Sequence, residues 1–272
     1  MSSIRVRPVS WRPRLVALDI DGTITRVGEE GVAPAVRAAI HRAVDHGAHV
    51  VLSTGRSLIG TRPIADDLGL RGTTAICSNG AVWWDTTSRE VVRWTGFDTG
   101  ATVAALRELF PGAVFAVEVT GRGNLSLGRF PEGDLWGEVR EVSAAELTAE
   151  PTSRLVMRWV DHTPEEVALR VADVELPGVM WWVDNVEPWL TVSPSGVSKG
   201  AALEELRQLL DVPAEDTLAL GDGHNDVEML RWAARGVAMG QAPAPVRAVA
   251  DDVTGTVLED GAARELDRWF GA

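Results

Sequence analysis

Two aspartates, Asp19 and Asp21, stand two positions apart at the end of the apolar run Leu15-Val16-Ala17-Leu18 and are followed by Gly22 and Thr23. In an extended strand residues i and i+2 share a face, so the spacing predicts two carboxylates presented together. At about 4 Å, in an effective dielectric near 20, such anions repel by about 4 kcal/mol. A chain keeps that arrangement where a cation bridges the pair or where one carboxyl holds its proton for chemistry. Gly22 permits a sharp turn after the pair, and Thr23 offers a hydroxyl to fix it. A solvated Asp-Gly turn at a strand end is the simpler alternative, and one such dipeptide alone would favour it.

Three distant segments weigh against that alternative. A second apolar run, Val50-Val51-Leu52-Ser53, ends in Thr54-Gly55-Arg56. Ser198-Lys199-Gly200 opens a predicted helix, where the lysine is misplaced for the helix dipole. Leu218-Ala219-Leu220 leads into Gly221-Asp222-Gly223-His224-Asn225-Asp226. In chain order these supply a carboxylate pair, a hydroxyl, an ammonium and a second acidic cluster. That order resembles the haloacid-dehalogenase-like phosphohydrolases, most closely their Cof-type sugar-phosphatase branch, from about Arg14 to the C-terminus.

The resemblance carries expectations residue by residue. Asp19 matches the nucleophile that forms an aspartyl-phosphate, and Asp21 the acid/base that protonates the leaving alcohol and then activates water. Asp19 and Asp222, with the backbone carbonyl of Asp21, would hold Mg²⁺; an all-oxygen donor set suits that ion, and no Cys/His pairing supports zinc. Thr54 would hydrogen-bond a phosphoryl oxygen with the Gly55 backbone close by. Lys199 would neutralise the phosphate and Asp19. Asn225 would contact phosphate or metal-bound water, and Asp226 would orient Lys199, support the metal site or serve as an acid in a first helical turn. Arg56 would touch the substrate or cap the sheet, and Asn79-Gly80 is either a crevice loop or a turn. His224 is expected to face solvent. The implied activity is a Mg²⁺-dependent phosphatase acting on a small phosphorylated metabolite, sugar phosphates foremost. A phosphomannomutase-like or sucrose-phosphatase-like enzyme, and a non-catalytic phospholigand-binding protein of the same fold, are the alternatives; an intact Asp21 speaks against the last.

The elements that must position these residues alternate. Strand Leu15–Asp19, helix Ala33–Asp45 (with Val36, Ile40 and Val44 on one face), strand Val50–Ser53, a helix near 58–68 and strand Ala75–Cys77 predict a parallel α/β sheet. Ligands in such sheets bind beyond the carboxyl ends of the strands, which is where Asp19, Thr54 and Asp222 fall. The pattern resumes with a helix from Ala201, strand Thr217–Leu220, helix Asn225–Ala234, run Gly236–Met239 and a terminal helix Ala262–Phe270. Between them the texture changes: a hairpin of Val82–Trp84 with Val91–Trp94, then mixed strands and helices with frequent Gly and Pro. Residues 14–85 and 188–272 are therefore read as a Rossmann-like core and 86–187 as an inserted α+β cap, with 1–13 a flexible, basic tail. The cap should choose the alcohol. Eight of the eleven tryptophans fall in or at it, most of them expected to pack and some to stack on a ligand. The segment Glu118–Gly123 is read as a loop reaching the crevice, with Arg122 as a candidate for a second anionic group.

Composition sets the outer bounds. A chain of 272 residues, 45% hydrophobic and 24% charged, reads as globular. Its formal charge of −13 argues against a nucleic-acid partner, so an anionic substrate must be drawn by a local cation. The single cysteine, Cys77, sits in an apolar run; it excludes an internal disulfide and fits a reducing, cytoplasmic setting. No apolar run approaches the ~20 residues that cross a bilayer. A monomer or homodimer is expected.

Overall fold

Four consecutive, wholly buried residues make up β1 (Leu15–Leu18), a pattern that demands cover on both faces. Helix α1 (Pro34–Asp45) follows, with proline at its first turn, where a missing N–H costs nothing. It buries Val36, Ala39, Ile40 and Ala43. Val44, expected on that face, is exposed, because the 3.6-residue period carries position 43 and not 44 back to the core. Next come β2 (His49–Leu52) and α2 (Leu58–Asp67), the latter capped by Ser57, whose Oγ accepts the Gly60 N–H. The computed structural model describes residues 11–27, 29 and 31–271. Most of the expected tail lies outside these, but Trp11 is packed edge-on against Trp269 at 4.7 Å and donates to the Glu215 carbonyl.

Strands β3 (Thr74–Cys77), β4 (Val82–Asp85) and β5 (Val91–Trp94) form an antiparallel sheet of their own. The β4–β5 hairpin is as expected. The placement of β3 differs: it joins the parallel sheet only through the bridge Ser53–Ile76 and pairs along its length with β4.

The inserted cap runs through α3 (Gly100–Leu109), β6 (Val114–Val119), β7 (Gly123–Leu127), β8 (Glu138–Glu141), α4 (Ala144–Leu147), β9 (Leu155–Arg158), α5 (Pro164–Val171), β10 (Val179–Val183) and β11 (Trp189–Pro194). Its six strands are ordered β10-β11-β9-β6-β7-β8, antiparallel except for β7 with β8. Phe115, Val117, Leu155, Met157, Leu190 and Val192 pack one face of this sheet against Leu106 and Phe110 of α3 and Val167 and Val171 of α5. The opposite face carries a smaller cluster of Ala116, Phe130 and Val156.

The chain returns through α6 (Lys199–Leu209), β12 (Thr217–Gly221), α7 (Val227–Trp232), β13 (Arg235–Ala238), α8 (Ala244–Arg247), β14 (Asp252–Val253) and α9 (Gly261–Phe270). The core sheet is parallel throughout, in the order β14-β13-β12-β1-β2. The first strand therefore lies between one drawn from the far end of the chain and its sequence neighbour, with Leu18 level with both Leu220 and Leu52. Asp19, Asp222 and Thr54 leave the same edge of the sheet together. No helix among the described residues is long and apolar enough to cross a membrane.

Candidate active site

Three strand ends deliver the carboxylates and the hydroxyl, and one helix start delivers the ammonium. Asp19 follows β1 and is 5% exposed; its N–H continues the ladder to the Leu220 carbonyl. Lys199 is the first residue of α6, behind a Ser198 cap that accepts the Ala201 N–H. With its side chain fully buried, its Nζ donates to Asp19 Oδ1 at 2.6 Å and to Asp226 Oδ1 at 2.6 Å. A buried cation survives only when paired in this way. Burial works against its charge, but Asp19 and Asp226 outweigh that and raise its pKa above the usual lysine value.

Asp226 is used completely. Its Oδ2 accepts the Asp222 and Gly223 N–H groups, both at 2.9 Å, while Oδ1 holds Lys199. Folding the carboxylate back on these amides tightens residues 224–226 into a single 3₁₀ turn, so the helix expected from Asn225 starts only at Val227. Gly22 has φ +73, and any Cβ there would lie 2.2 Å from Asp222 Oδ2. The glycine thus lets the turn after β1 cross directly over the second acidic cluster.

Donor atoms of Asp19, Asp222 and Asp226 all lie within 4.8 Å of one another. Burial and then the neighbouring Asp226 charge raise Asp19 well above the ordinary carboxylate range, against the pull of Lys199. Burial and Asp226 likewise push Asp222 up to about 7. The one hydrogen bond that Asp222's carboxylate receives from a described side chain is long, from Gln241 Nε2 at 3.4 Å. A crowded carboxylate without a cation of its own, in an all-oxygen cluster lacking thiolate and imidazole, fits a hard divalent ion. Asp19 and Asp222 are the members best able to bind it, since both Asp226 oxygens are already committed.

The Asp21 carboxylate is not part of that cluster. It is turned to Arg56, which grips it with Nε at 2.7 Å and Nη2 at 2.6 Å. Arg56 also donates to the carbonyls of Glu29 and Gly60. Four of the five N–H bonds of its fork are thereby engaged within the protein, so Arg56 acts here mainly on Asp21. Trp136, from the cap, lies 5.2 Å from this guanidinium and packs over Gly60. Thr54 is buried, with its Oγ1 accepting the Arg56 N–H. Asn225 donates to Asn79 Oδ1 at 2.9 Å, and both side chains crowd Gly55.

Asp19, Asp21, Thr54, Gly55, Arg56, Asn79, Asp222, His224 and Asn225 line one crevice of about 400 Å³ between core and cap, with Lys199 and Asp226 buried beneath it. His224 is exposed, as expected. The cap supplies Trp136, Trp182, Trp189, Arg154, Arg158 and Asp184 to the same crevice. Trp83, Trp84 and Trp159 are buried in packing, so the tryptophans divide between the two duties. The segment Glu118–Gly123 does not reach the crevice as a loop. Glu118 lies within β6 and accepts the Leu58 N–H and hydroxyls of Ser78 and Ser153, tying cap to core. Arg122 lines a different cap cavity, with Glu138, Arg140 and Glu150. Sequence reasoning missed Gln241, which also donates to the Gly22 carbonyl at 2.5 Å, and Arg154. Neither belongs to a motif; only the folded chain brings them near.

A sequence profile of the haloacid dehalogenase-like hydrolases matches residues 16–116 and 173–266. The chain is 28% identical over 270 residues to a 5-amino-6-(5-phospho-D-ribitylamino)uracil phosphatase of Bacillus subtilis, covering 94% of this chain and 95% of that one. It is 32% identical over 253 residues to a phosphoglycolate phosphatase of Natronomonas pharaonis, covering 93% and 96%. Among solved structures, a phosphatase from Bacteroides thetaiotaomicron superposes with a TM-score of 0.79 at 25% identity, covering the whole of both chains. A subclass IIB sugar phosphatase gives 0.79 at 22% identity, over 95% of this chain and 100% of that chain, a likeness of fold.

Proposed function

Because the chain belongs to the haloacid dehalogenase-like hydrolase family and is a phosphatase of small phosphorylated metabolites, we propose that it cleaves its substrate through an aspartyl-phosphate on Asp19. The single observation that carries this reading is the Lys199 ammonium buried between Asp19 and Asp226 beneath a crevice lined by Asp19, Asp222 and Thr54. Such a site holds a carboxylate in place and supplies positive charge where a phosphoryl dianion must settle.

Asp19 Oδ1 is fixed by Lys199, and its other oxygen accepts no hydrogen bond from the described residues. That oxygen attacks phosphorus in line; the P–O bond to the leaving alcohol breaks as the O–P bond to Asp19 forms. Asp21, released from Arg56 and having taken a proton from solvent, gives that proton to the departing alkoxide and then takes one from the water that hydrolyses the aspartyl-phosphate, returning Asp19 as a carboxylate. Thr54 and the Gly55 N–H orient the phosphoryl oxygens, and Asn225, braced by Asn79, closes their other side. Asp19 and Asp222, with the Asp21 carbonyl, would hold Mg²⁺, which supplies neutralising charge to the phosphoryl group. The cap wall of Trp136, Trp182 and Trp189, interspersed with Asp184 and Asn185, suits a polyhydroxylated leaving group that stacks through C–H faces and hydrogen-bonds through its hydroxyls.

The test is hydrolysis of 4-nitrophenyl phosphate with and without Mg²⁺ by wild type and Asp19→Asn, with rapid acid quench to detect phosphoprotein. Metal-dependent turnover and a hydroxylamine-labile phosphoprotein are expected in wild type, and neither in the variant. Undiminished turnover in Asp19→Asn would overturn the assignment.

A further inference from the structure

The cap face over the crevice carries two arginines whose circumstances differ. Arg158 is neutralised, with Asp134 at 2.9 Å and Glu187 at 2.8 Å. Arg154, just before the strand that Arg158 ends, has no ion pair within 4 Å among the described residues, and its buried Nε meets no hydrogen-bond partner. The acids in electrostatic reach of it are Glu118 and Asp21. Both are committed elsewhere, Glu118 to Leu58, Ser78 and Ser153 and Asp21 to Arg56. The two guanidinium groups lie near the Trp189 indole, at 5.9 and 6.0 Å from its centroid.

We infer that Arg154 is the recognition residue for a second anionic group, so that the preferred substrate is a phosphomonoester whose leaving alcohol itself carries a carboxylate or a phosphate. The inference rests on the phosphatase reading above and names its substrate class. A guanidinium is always charged and offers a planar fork suited to carboxylate or phosphate oxygens. Buried donors in folded proteins are almost always satisfied, and the partner this one lacks in the protein is supplied by the ligand. Charge points the same way: in a chain of net charge −13, an anion with two charged ends needs a cation at each, and Lys199 lies beneath the core floor of the crevice while Arg154 lines it from the cap. Trp189, close to both arginines, packs the carbon frame joining the two ends.

The experiment compares matched pairs with Mg²⁺ present: glycerol 3-phosphate against 3-phosphoglycerate for the carboxylate arm, and a hexose 6-phosphate against the hexose 1,6-bisphosphate for the phosphate arm. Wild type is expected to favour the doubly anionic member of at least one pair by tenfold to a hundredfold in kcat/KM, the range set by one charge-assisted contact. Arg154→Met should erase that preference while changing the singly charged member by less than about threefold, and Arg154→Lys should restore part of it. Absence of preference in wild type overturns the inference even if the variants fold poorly. An equal loss on both members in Arg154→Met also overturns it, since Arg154 would then serve the transferred phosphoryl group. Failure to hydrolyse any of the four substrates or 4-nitrophenyl phosphate would instead count against the phosphatase mechanism itself.

Discussion

Replacing Lys199 with methionine removes the one cation that separates two buried acids. The side chain is fully buried and makes two contacts of 2.6 Å, to Asp19 and Asp226. Their oxygens lie within 4.8 Å, so at an effective dielectric near 20 the uncovered repulsion is about 3.5 kcal/mol. That agrees with the roughly 3–5 kcal/mol lost when one partner of a buried ion pair is deleted. For a chain of this size each kcal/mol moves Tm by about 2–4 °C, so the variant should melt roughly 6–20 °C below wild type by circular dichroism at neutral pH. Two controls make the attribution specific. Asp226→Asn added to Lys199→Met should recover part of the loss, with a coupling above about 1 kcal/mol, and millimolar Mg²⁺ should raise the Tm of Lys199→Met more than that of wild type. Turnover should fall by about 10²–10³, as when a preorganised electrostatic contact is removed. A Lys199→Met protein that melts within 2 °C of wild type (about the effect of a neutral surface change) and keeps full turnover would refute the reasoning.

Metal-free stability should depend on pH through Asp222. Its carboxyl keeps its proton in the folded state to about pH 7 but ionises near 3.9 when unfolded. Between those values the folded state binds the extra proton, so stability falls as pH rises and this contribution is fully lost above 7. The gap of about three pH units corresponds to about 4 kcal/mol. Melting scans from pH 5 to 8 should show a falling Tm without metal and a Mg²⁺-induced rise that is larger at pH 8; a flat profile contradicts the crowding of these acids. Cys77 is buried and its thiol pushed up to about 12 by burial, so iodoacetamide should label the native protein only after denaturant is added, and stoichiometric labelling within minutes would contradict that environment. Glu118→Ala strands the Leu58 N–H and two hydroxyls at the cap–core junction; a loss of about 1–3 kcal/mol in urea unfolding is expected, and an unchanged midpoint would show the junction to be held by other contacts.

Much of the core could be read from the chain because its signals are local. Leu15–Leu18 and Thr217–Gly221 are apolar runs ending in aspartate, and parallel pairing of two such runs is enough to bring Asp19 and Asp222 together. The lysine at the head of α6 follows from the same topology. Other features could not be read because they depend on side chains that meet only after folding. The spacing of Asp19 and Asp21 suggested a shared cation, whereas the turn through Gly22 sends one carboxylate to Lys199 and the other to Arg56. Strand β8, Glu-Val-Arg-Glu with every residue exposed, has no buried face to impose alternation and so left no pattern. Arg122 and Arg154 look alike in sequence; the first sits in the turn between β6 and β7 and lines another cavity, and the second sits just before β9 and lines the crevice.

The position of β1 in the sheet bears on how a ribosome can produce this protein. One of the strand's two hydrogen-bonding edges belongs to residues 217–220, about 200 residues later in the chain. At roughly 5–20 residues per second the nascent chain spends some 10–40 s with that apolar edge open. The cap sheet, by contrast, is drawn from one continuous stretch and can close during synthesis. Translation therefore yields a finished lid before the body beneath it is complete, and the open edge of β1 is where a holdase would bind and where stalled or truncated chains would aggregate.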